Sequence, residues 1–297
     1  MSDVVVVGSL NVDLTIEVPR APTGGQTMLG GDVRRGPGGK GANQAVACAR
    51  LGRSVTMVGA VGADADGDWM VGLLRAEGIE TATIRRVEFP TGQAVVFVEP
   101  NGESTIVVSP GANARLSSRD LDPERDAIVS ARCVLAQQEV GVAVVERAAR
   151  LAQGLFVLNP APSRAVSPGL LKRVGVLVPN RDELAGLCGV VPSSDLDAIE
   201  AMARSLKGPR VVVVTLGREG ALVVEPNSCV LVPAQQVVAV DATAAGDTFC
   251  AALVDALLDD LSPVEATKWA TKVAAIAVTR RGAMDSIPRR SEVAARG

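Results

Sequence analysis

The sequence predicts an α/β protein: a doubly wound, mostly parallel sheet flanked by helices, with a small antiparallel β lid beside it. Two observations carry this. Short β-branched runs alternate with Ala- and Leu-rich helical stretches along most of the chain. Two regions, about 14–33 and 93–109, interrupt the alternation with extended pieces of their own. No repeat or low-complexity linker divides the chain, so residues 1–297 read as one α/β domain with the lid inserted.

The elements follow in order. Runs at 4–7, 55–58, 133–137, 155–158, 174–178 and 211–216 are continuously apolar, as parallel strands covered on both faces are. Helical stretches fall between them at 42–51, 67–76, 142–152, 181–188 and 196–206. In the first lid region, Pro19, Pro22 and Gly24-Gly25 separate the extended pieces. In the second, 94–99 and 103–108 flank Pro100-Asn101-Gly102, and Asn-Gly between extended runs signals a hairpin. The last third adds strands at 221–225 and 230–232 and long helices near 246–259 and 263–280.

Composition narrows the function. The chain is 47% hydrophobic and 21% charged with a net charge of -3, which fits a soluble globular protein. That charge argues against nucleic acid or a membrane as partner. No apolar stretch approaches the roughly 20 residues of a membrane span. No basic leader precedes the first apolar run, so no signal peptide is expected. Cys48, Cys133, Cys188, Cys229 and Cys250 are odd in number and without CxxC spacing, which suggests free thiols in a reducing cytoplasm. Histidine is absent, excluding Ser-His-Asp triads, HExxH zinc sites and imidazole bases. Acid–base chemistry must come from carboxylates, lysines or cysteines. Tyrosine is also absent and aromatics are 2%, which disfavours base-stacking platforms.

Three constellations carry chemistry. Gly38-Gly39-Lys40-Gly41-Ala42-Asn43-Gln44 opens a helix, where free N–H groups and missing side chains let a ligand approach. Its G-x-G-x-x-G match, counted from Gly36, lacks both the preceding strand and the ribose-binding acid of a dinucleotide site. A helix cap without a ligand is the alternative. Gly8-Ser9-Leu10-Asn11-Val12-Asp13 leaves the first strand. Asn11 and Asp13, two apart, point the same way in an extended segment and suit a vicinal diol; an Asx turn is the alternative. In Val240–Phe249, small residues follow a strand and precede a helix, so their N–H groups can form an anion nest. Asp247 lies in the first turn of that helix, where the dipole favours a carboxylate. A carboxylate beside an anion nest suits phosphoryl transfer to an alcohol, taking the hydroxyl proton while the N–H groups hold phosphoryl oxygens. A plain dipole-satisfying Asp is the alternative.

These residues resemble the ribokinase-like (PfkB) carbohydrate kinases, nearly end to end. The most specific marks are 38–44 and 244–249. Pro110-Gly111-Ala112-Asn113-Ala114, Leu158-Asn159-Pro160-Ala161-Pro162, Pro179-Asn180-Arg181-Asp182-Glu183 and Thr215-Leu216-Gly217-Arg218-Glu219-Gly220 support them. The resemblance implies ATP-dependent phosphorylation of D-ribose at O5, giving ribose 5-phosphate and ADP. It makes Asp247 the base and the amides of Ala244, Ala245 and Gly246 the anion hole. It gives the sugar Asn11, Asp13, Gly39, Lys40, Gly41, Asn43 and Glu139. It gives ATP Asn180, Thr215, Leu216, Gly217, Arg218, Glu219, Gly220, Gly246, Asp247 and Thr271. Glu183, with Asn180, would organise Mg2+, largely through water. Asp241, Thr243, Ala277, Arg280, Gly282 and Ser286 match a K+ site formed largely by carbonyls. The lid would pair two copies into a homodimer.

Three positions depart from the family pattern. Ala242 stands where Thr is frequent, Ala244 where many relatives have Gly, and Thr271 lacks an aromatic ring. None removes a catalytic group. Ala94 and Val96 alternate onto one face of the lid hairpin and suit a compact pentose, and Glu139 favours ribose by resemblance. Rival acceptors within the fold are deoxyribose, fructose, a keto-sugar acid or a nucleoside. An NAD-dependent oxidoreductase and a non-catalytic sugar-binding protein are the rivals from other classes.

Overall fold

The computed structural model describes residues 2–100 and 104–293. Its strands are β1 (Val4–Val7), β2 (Asn11–Glu17), β3 (Arg34–Gly38), β4 (Val55–Gly62), β5 (Ile84–Val87), β6 (Gly92–Val98), β7 (Ser104–Ser109), β8 (Cys133–Gln137), β9 (Leu155–Asn159), β10 (Val176–Leu177), β11 (Val211–Thr215), β12 (Ala221–Glu225) and β13 (Ser228–Val232). Its helices are α1 (Lys40–Arg50), α2 (Ala65–Ala76), α3 (Arg125–Ser130), α4 (Val142–Leu151), α5 (Pro168–Leu171), α6 (Arg181–Cys188), α7 (Leu196–Ser205), α8 (Ala245–Leu257) and α9 (Pro263–Ala277).

Nine strands form the main sheet in the order β13-β12-β11-β10-β9-β8-β1-β4-β5. All ladders from β11 to β5 are parallel; β12 and β13 add an antiparallel edge. Successive valines of β1 explain its central place. Val4 and Val6 belong to the core under α1, α8 and α9, and Val5 and Val7 to the core under α4 and α7. A strand buried on both faces needs no polar alternation.

The order reverses beside β1. The chain winds from β1 through β4 to β5, then returns to the other side of β1 as β8 and continues outward to β11. Ligands of open α/β sheets bind at such a switch point, beyond the carboxyl ends of the strands.

The lid is a separate sheet of four strands, β3-β2-β6-β7. It differs from expectation in two ways. Its first insertion does not supply strands across 14–33: β2 begins at Asn11 and β3 lies at Arg34–Gly38, while 18–33 carry no strand. Gly36, Pro37 and Gly38 concealed β3, because glycine and proline are poor strand formers; β3 is an edge strand, where proline is tolerated. The sheet is also not wholly antiparallel, since β2 and β6 pair in parallel at its centre. β6 and β7 form the expected hairpin ladder, and the expected turn at Asn101-Gly102 lies outside the described residues.

A buried ion cluster fixes α8, the helix that carries Asp247. Asp255 is fully buried on α8 and accepts from Arg53 Nε (2.7 Å), Arg290 Nη2 (2.6 Å) and Trp269 Nε1 (3.0 Å). Removing the carboxylate would strand cations against α8, which makes this pairing a strong constraint on the helix.

Candidate active site

The parallel strands deliver polar groups side by side. Reading across the sheet, β11 ends at Thr215, β10 runs on to Asn180, β9 ends at Asn159, β8 ends at Gln137, and β1 ends at Val7 and leads into Gly8-Ser9. Asn180 and Thr215 are bridged, with Thr215 N–H donating to Pro179 C=O at 2.9 Å. Thus the Asn-x-x-Glu stretch and the Thr215–Gly220 stretch form one end of the site. The glycine-rich segments form the other end.

Asp247 lies between them. Its Oδ2 accepts from Asn43 Nδ2 and its Oδ1 from Gln44 Nε2, each at 2.9 Å. The carboxylate is buried, 6% exposed. Buried charge survives only with donors around it, and the first turn of α1 supplies both. Ala244 caps α8 in the left-handed region (φ 59°), which a Cβ disfavours. This sharp entry turns the helix start toward the site. The Ala245 N–H donates to Ala242 C=O at 3.2 Å. Of the expected anion-hole amides, those of Ala244 and Gly246, with that of Asp247, meet no protein acceptor among the described residues.

The lid contributes a floor cleared of side chains. In register, Asn11 lies between Gly38 and Gly92, and Asp13 between Gly36 and Ala94. Directly paired residues share a face, so the two polar side chains stand in a cradle of small residues. The clearance is needed: a Cβ on Gly38 would lie 2.2 Å from the Asp13 carboxylate, and one on Gly92 2.2 Å from Asn11 Oδ1. Ala94 and Val96 are buried on this face as expected. Phe97 takes the other face and, with Ile16 and Met28, lines a cavity of about 360 Å³.

Second contacts fix these groups. Asn113 donates to Asn11 Oδ1 at 2.8 Å and to Leu10 C=O at 3.0 Å, and accepts from Leu10 N–H at 3.0 Å. Glu139 accepts from Ser9 Oγ and, at 3.0 Å, from the Lys40 N–H. Gly39 adopts φ 90°, where a Cβ would meet Asn11 N at 2.7 Å, and one on Gly41 would meet Ser9 N at 2.5 Å. The loop can pack against β1 only with glycine at both positions.

The site's charges are coupled. Burial, then Glu139 and Asp247, raise the Asp13 carboxyl to about 7, with Lys40 opposing. Asp247 raises the Lys40 ammonium, against burial and with help from Glu139 and Glu183. Burial raises Glu183, partly offset by the Asn180 N–H and Lys40. Lys40 is therefore the cation that acts on Asp13, Glu139, Asp247 and Glu183 alike.

The remaining expected residues are placed as follows. Asn180 and Glu183 form a reciprocal cap on α6: Glu183 N–H donates to Asn180 Oδ1 at 2.7 Å, and Asn180 N–H to Glu183 Oε2 at 2.8 Å. One Glu183 oxygen is thus committed to main chain. Leu216 N–H donates to Gly220 C=O at 2.8 Å, closing a turn over Gly217, Arg218 and Glu219, and Glu219 pairs with Arg181 at 2.8 Å. Thr271 is buried on α9, its hydroxyl donating to Lys268 C=O at 2.8 Å. Its hydroxyl is thus satisfied within its own helix. Asp241 Oδ1 accepts from Thr243 N–H (2.9 Å) and Oγ1 (2.6 Å), and Oδ2 from Gly282 N–H (2.9 Å). Burial works to raise Asp241, yet these donors hold it below the usual carboxylate range. Arg280 N–H closes on Ala277 C=O at 3.0 Å, and Ser286 Oγ donates to Ala283 C=O at 2.8 Å. The two loops of the expected K+ site are thus pinned together at Asp241.

Sequence reasoning assigned no role to Ser9, Gln44, Asn113, Gln137 or Asn159. Four of them stand in stretches already singled out, but nothing in a linear sequence shows that Gln44 reaches Asp247. Gln137 ends a buried strand with no motif of its own. A polar residue closing an apolar β-run was the available signal.

A buried carboxylate beside unpaired helix-start amides, facing a cradle of small residues that presents an amide and a second carboxylate, suits a phosphotransferase acting on a hydroxyl group of a sugar. The comparisons agree. The pfkB family carbohydrate kinase pattern matches residues 1–290, and the chain belongs to that family. It is 39% identical over 292 residues to a ribokinase of Haemophilus influenzae, covering 97% of this chain and 95% of that one. It is 36% identical over 293 residues to a deoxyribokinase of Salmonella typhi, covering 96% and 95%. The structure of an Arabidopsis thaliana ribokinase complexed with ribose and ATP superimposes with a TM-score of 0.88 at 29% identity, covering 98% and 96%.

Proposed function

We propose that this chain is an ATP-dependent ribose kinase, forming D-ribose 5-phosphate and ADP. The observation that carries the reading is the placement of Asp247 between the Asn11/Asp13 cradle and the free amides of Gly246 and Asp247. Sugar hydroxyls are held by Asn11, Asp13, Asn43 and Glu139, with Gly39, Lys40 and Gly41 shaping the floor. Asp247 takes the proton of the acceptor hydroxyl while Ala244, Ala245 and Gly246 surround the transferred phosphoryl group. For Ala245 this requires release of its N–H from Ala242. ATP lies across Asn180 and Thr215–Gly220, toward Thr271.

Mg2+ enters with the nucleotide. Among the described residues no cluster of three or more acidic or thiol groups could hold a metal by itself. A lone acid, Glu183, beside substrate phosphates suits Mg2+, which keeps its waters and takes few protein ligands. K+ is assigned to the loops of Asp241, Thr243, Ala277, Arg280, Gly282 and Ser286. The donor set fits: Asp241 is held ionised and joins two turns rich in main-chain oxygen. The outermost lid strand exposes Ile106 (56%) and Val107 (59%), an apolar edge suited to a second copy of the lid in a homodimer. No helix among the described residues is long and apolar enough to cross a membrane. With its five cysteines free, the chain suits the cytoplasm.

The deoxyribokinase likeness keeps 2-deoxyribose as a second acceptor. Coupled ADP release with D-ribose, 2-deoxyribose, D-fructose and adenosine tests the assignment. The highest kcat/KM is expected with ribose. Highest turnover with a hexose or nucleoside contradicts it.

A further inference from the structure

Gln44 is fully buried, and neither the sugar nor the nucleotide is expected to touch it. Its orientation is nevertheless fixed from the main chain. Val178 C=O accepts from Asn159 Nδ2 at 2.9 Å, which turns Asn159 Oδ1 toward Gln44. Gln44 Nε2 donates to that oxygen at 3.3 Å and to Asp247 Oδ1 at 2.9 Å. Gln137 Nε2 donates to Gln44 Oε1 at 2.5 Å. Exchanging the two ends of the Gln44 amide would set oxygen against oxygen at Asp247 and Asn159, and N–H against N–H at Gln137. Gly8 completes the packing, because a Cβ there would lie 2.0 Å from Gln137 Oε1.

Asn43 is held differently. Its Nδ2 reaches Asp247 Oδ2, but its own Oδ1 is buried without a partner. Nothing on its oxygen side opposes rotation toward an incoming hydroxyl. The two oxygens of the base therefore have unequal holders, one locked and one releasable.

We propose that Gln44 is a positioning residue for phosphoryl transfer. It holds Asp247 through Oδ1 so that Oδ2 is the oxygen that accepts the proton once Asn43 turns to the sugar. This rests on the sugar-kinase reading above. In the step itself the acceptor O–H bond breaks and its proton passes to Asp247 Oδ2. The oxygen's electron pair forms the new bond to the γ-phosphorus. The bond from that phosphorus to the bridging oxygen breaks, and its pair leaves on ADP.

The test is a double-mutant cycle on the full-length enzyme, with ribose and ATP and with melting curves to verify folding. Gln44→Met removes both donors at similar volume. It should lower kcat about 10–100-fold, the worth of a hydrogen bond to a charged group. Both KM values should stay within about threefold, since nothing that touches substrate is removed. In an Asp247→Asn background the same change should lower the residual turnover by less than about twofold, because no carboxylate is left to hold. Gln137→Met acts one bond further away and leaves the Gln44–Asp247 contact in place. It should show a smaller loss of the same kind, and it serves if Gln44→Met does not fold. An equal loss in both backgrounds, or unchanged kcat in the folded variants, overturns the proposal. A wild type inert toward every sugar overturns the kinase reading instead.

Discussion

The Asn43 amide donates to Asp247 Oδ2 at 2.9 Å, joining residues 204 positions apart. One residue of the glycine-rich helix start thereby touches the proposed base. Asn43→Ala should lower kcat/KM for ribose at least about tenfold, because the amide proposed to turn from Asp247 to the sugar is lost. Steady-state kinetics with ribose varied at saturating ATP check this.

Asp13 makes stability depend on pH. Its carboxyl is raised from 3.8 to about 7 in the folded chain. Below pH 3.8 both states are protonated and the group contributes nothing. Between 3.8 and about 7 the folded state keeps a proton that the unfolded state has released, so stability falls as pH rises across that window. Asp13→Asn removes the effect. The variant should match the wild type in melting temperature near pH 4 and exceed it at pH 8, as thermal melts at the two pH values would show. Sugar hydroxyls donate best to the ionised form. The KM for ribose should therefore rise on lowering pH from 8 to 6 in the wild type and not in Asp13→Asn.

The cradle predicts a steric failure. Gly92→Ala would place its Cβ 2.2 Å from Asn11 Oδ1 and 2.3 Å from Asn113 Nδ2. Either the Asn11–Asn113 bond opens or β6 shifts. The expected result is a KM for ribose raised about tenfold or more, with overpacking lowering stability by about 1–3 kcal/mol. Isothermal titration with ribose and a denaturant melt separate the two effects.

Much of this was legible in the sequence. Valine runs such as 4–7 announce buried parallel strands, since any alternation would put a polar group in one of the two cores. Asp247 stood out as a candidate base because histidine is absent and its helix opens on small residues. What was hidden depends on pairings far apart in the chain. The parallel union of β2 with β6 sets Gly92 against Asn11, and no local signal gives that register. Gln44, Gln137 and Asn159 each look like ordinary polar residues until strand order brings β8, β9 and α1 together behind Asp247.

Asp241 gives a cation test. It accepts three hydrogen bonds that tie residue 243 to residue 282. Turnover should be higher in potassium chloride than in sodium or choline chloride. Asp241→Ala should abolish most of that difference, as initial rates in the three salts would reveal. Equal rates in all three for the wild type would remove K+ from the account.

The central claim is that Asp247 is the base of a ribose kinase. The most direct measurement is ribose-dependent ADP release by the wild type and by folded Asp247→Asn. The account predicts turnover by the wild type and a loss of roughly 10²–10⁴-fold or more in the variant, with the melting temperature little changed. Near-normal turnover by Asp247→Asn would contradict it.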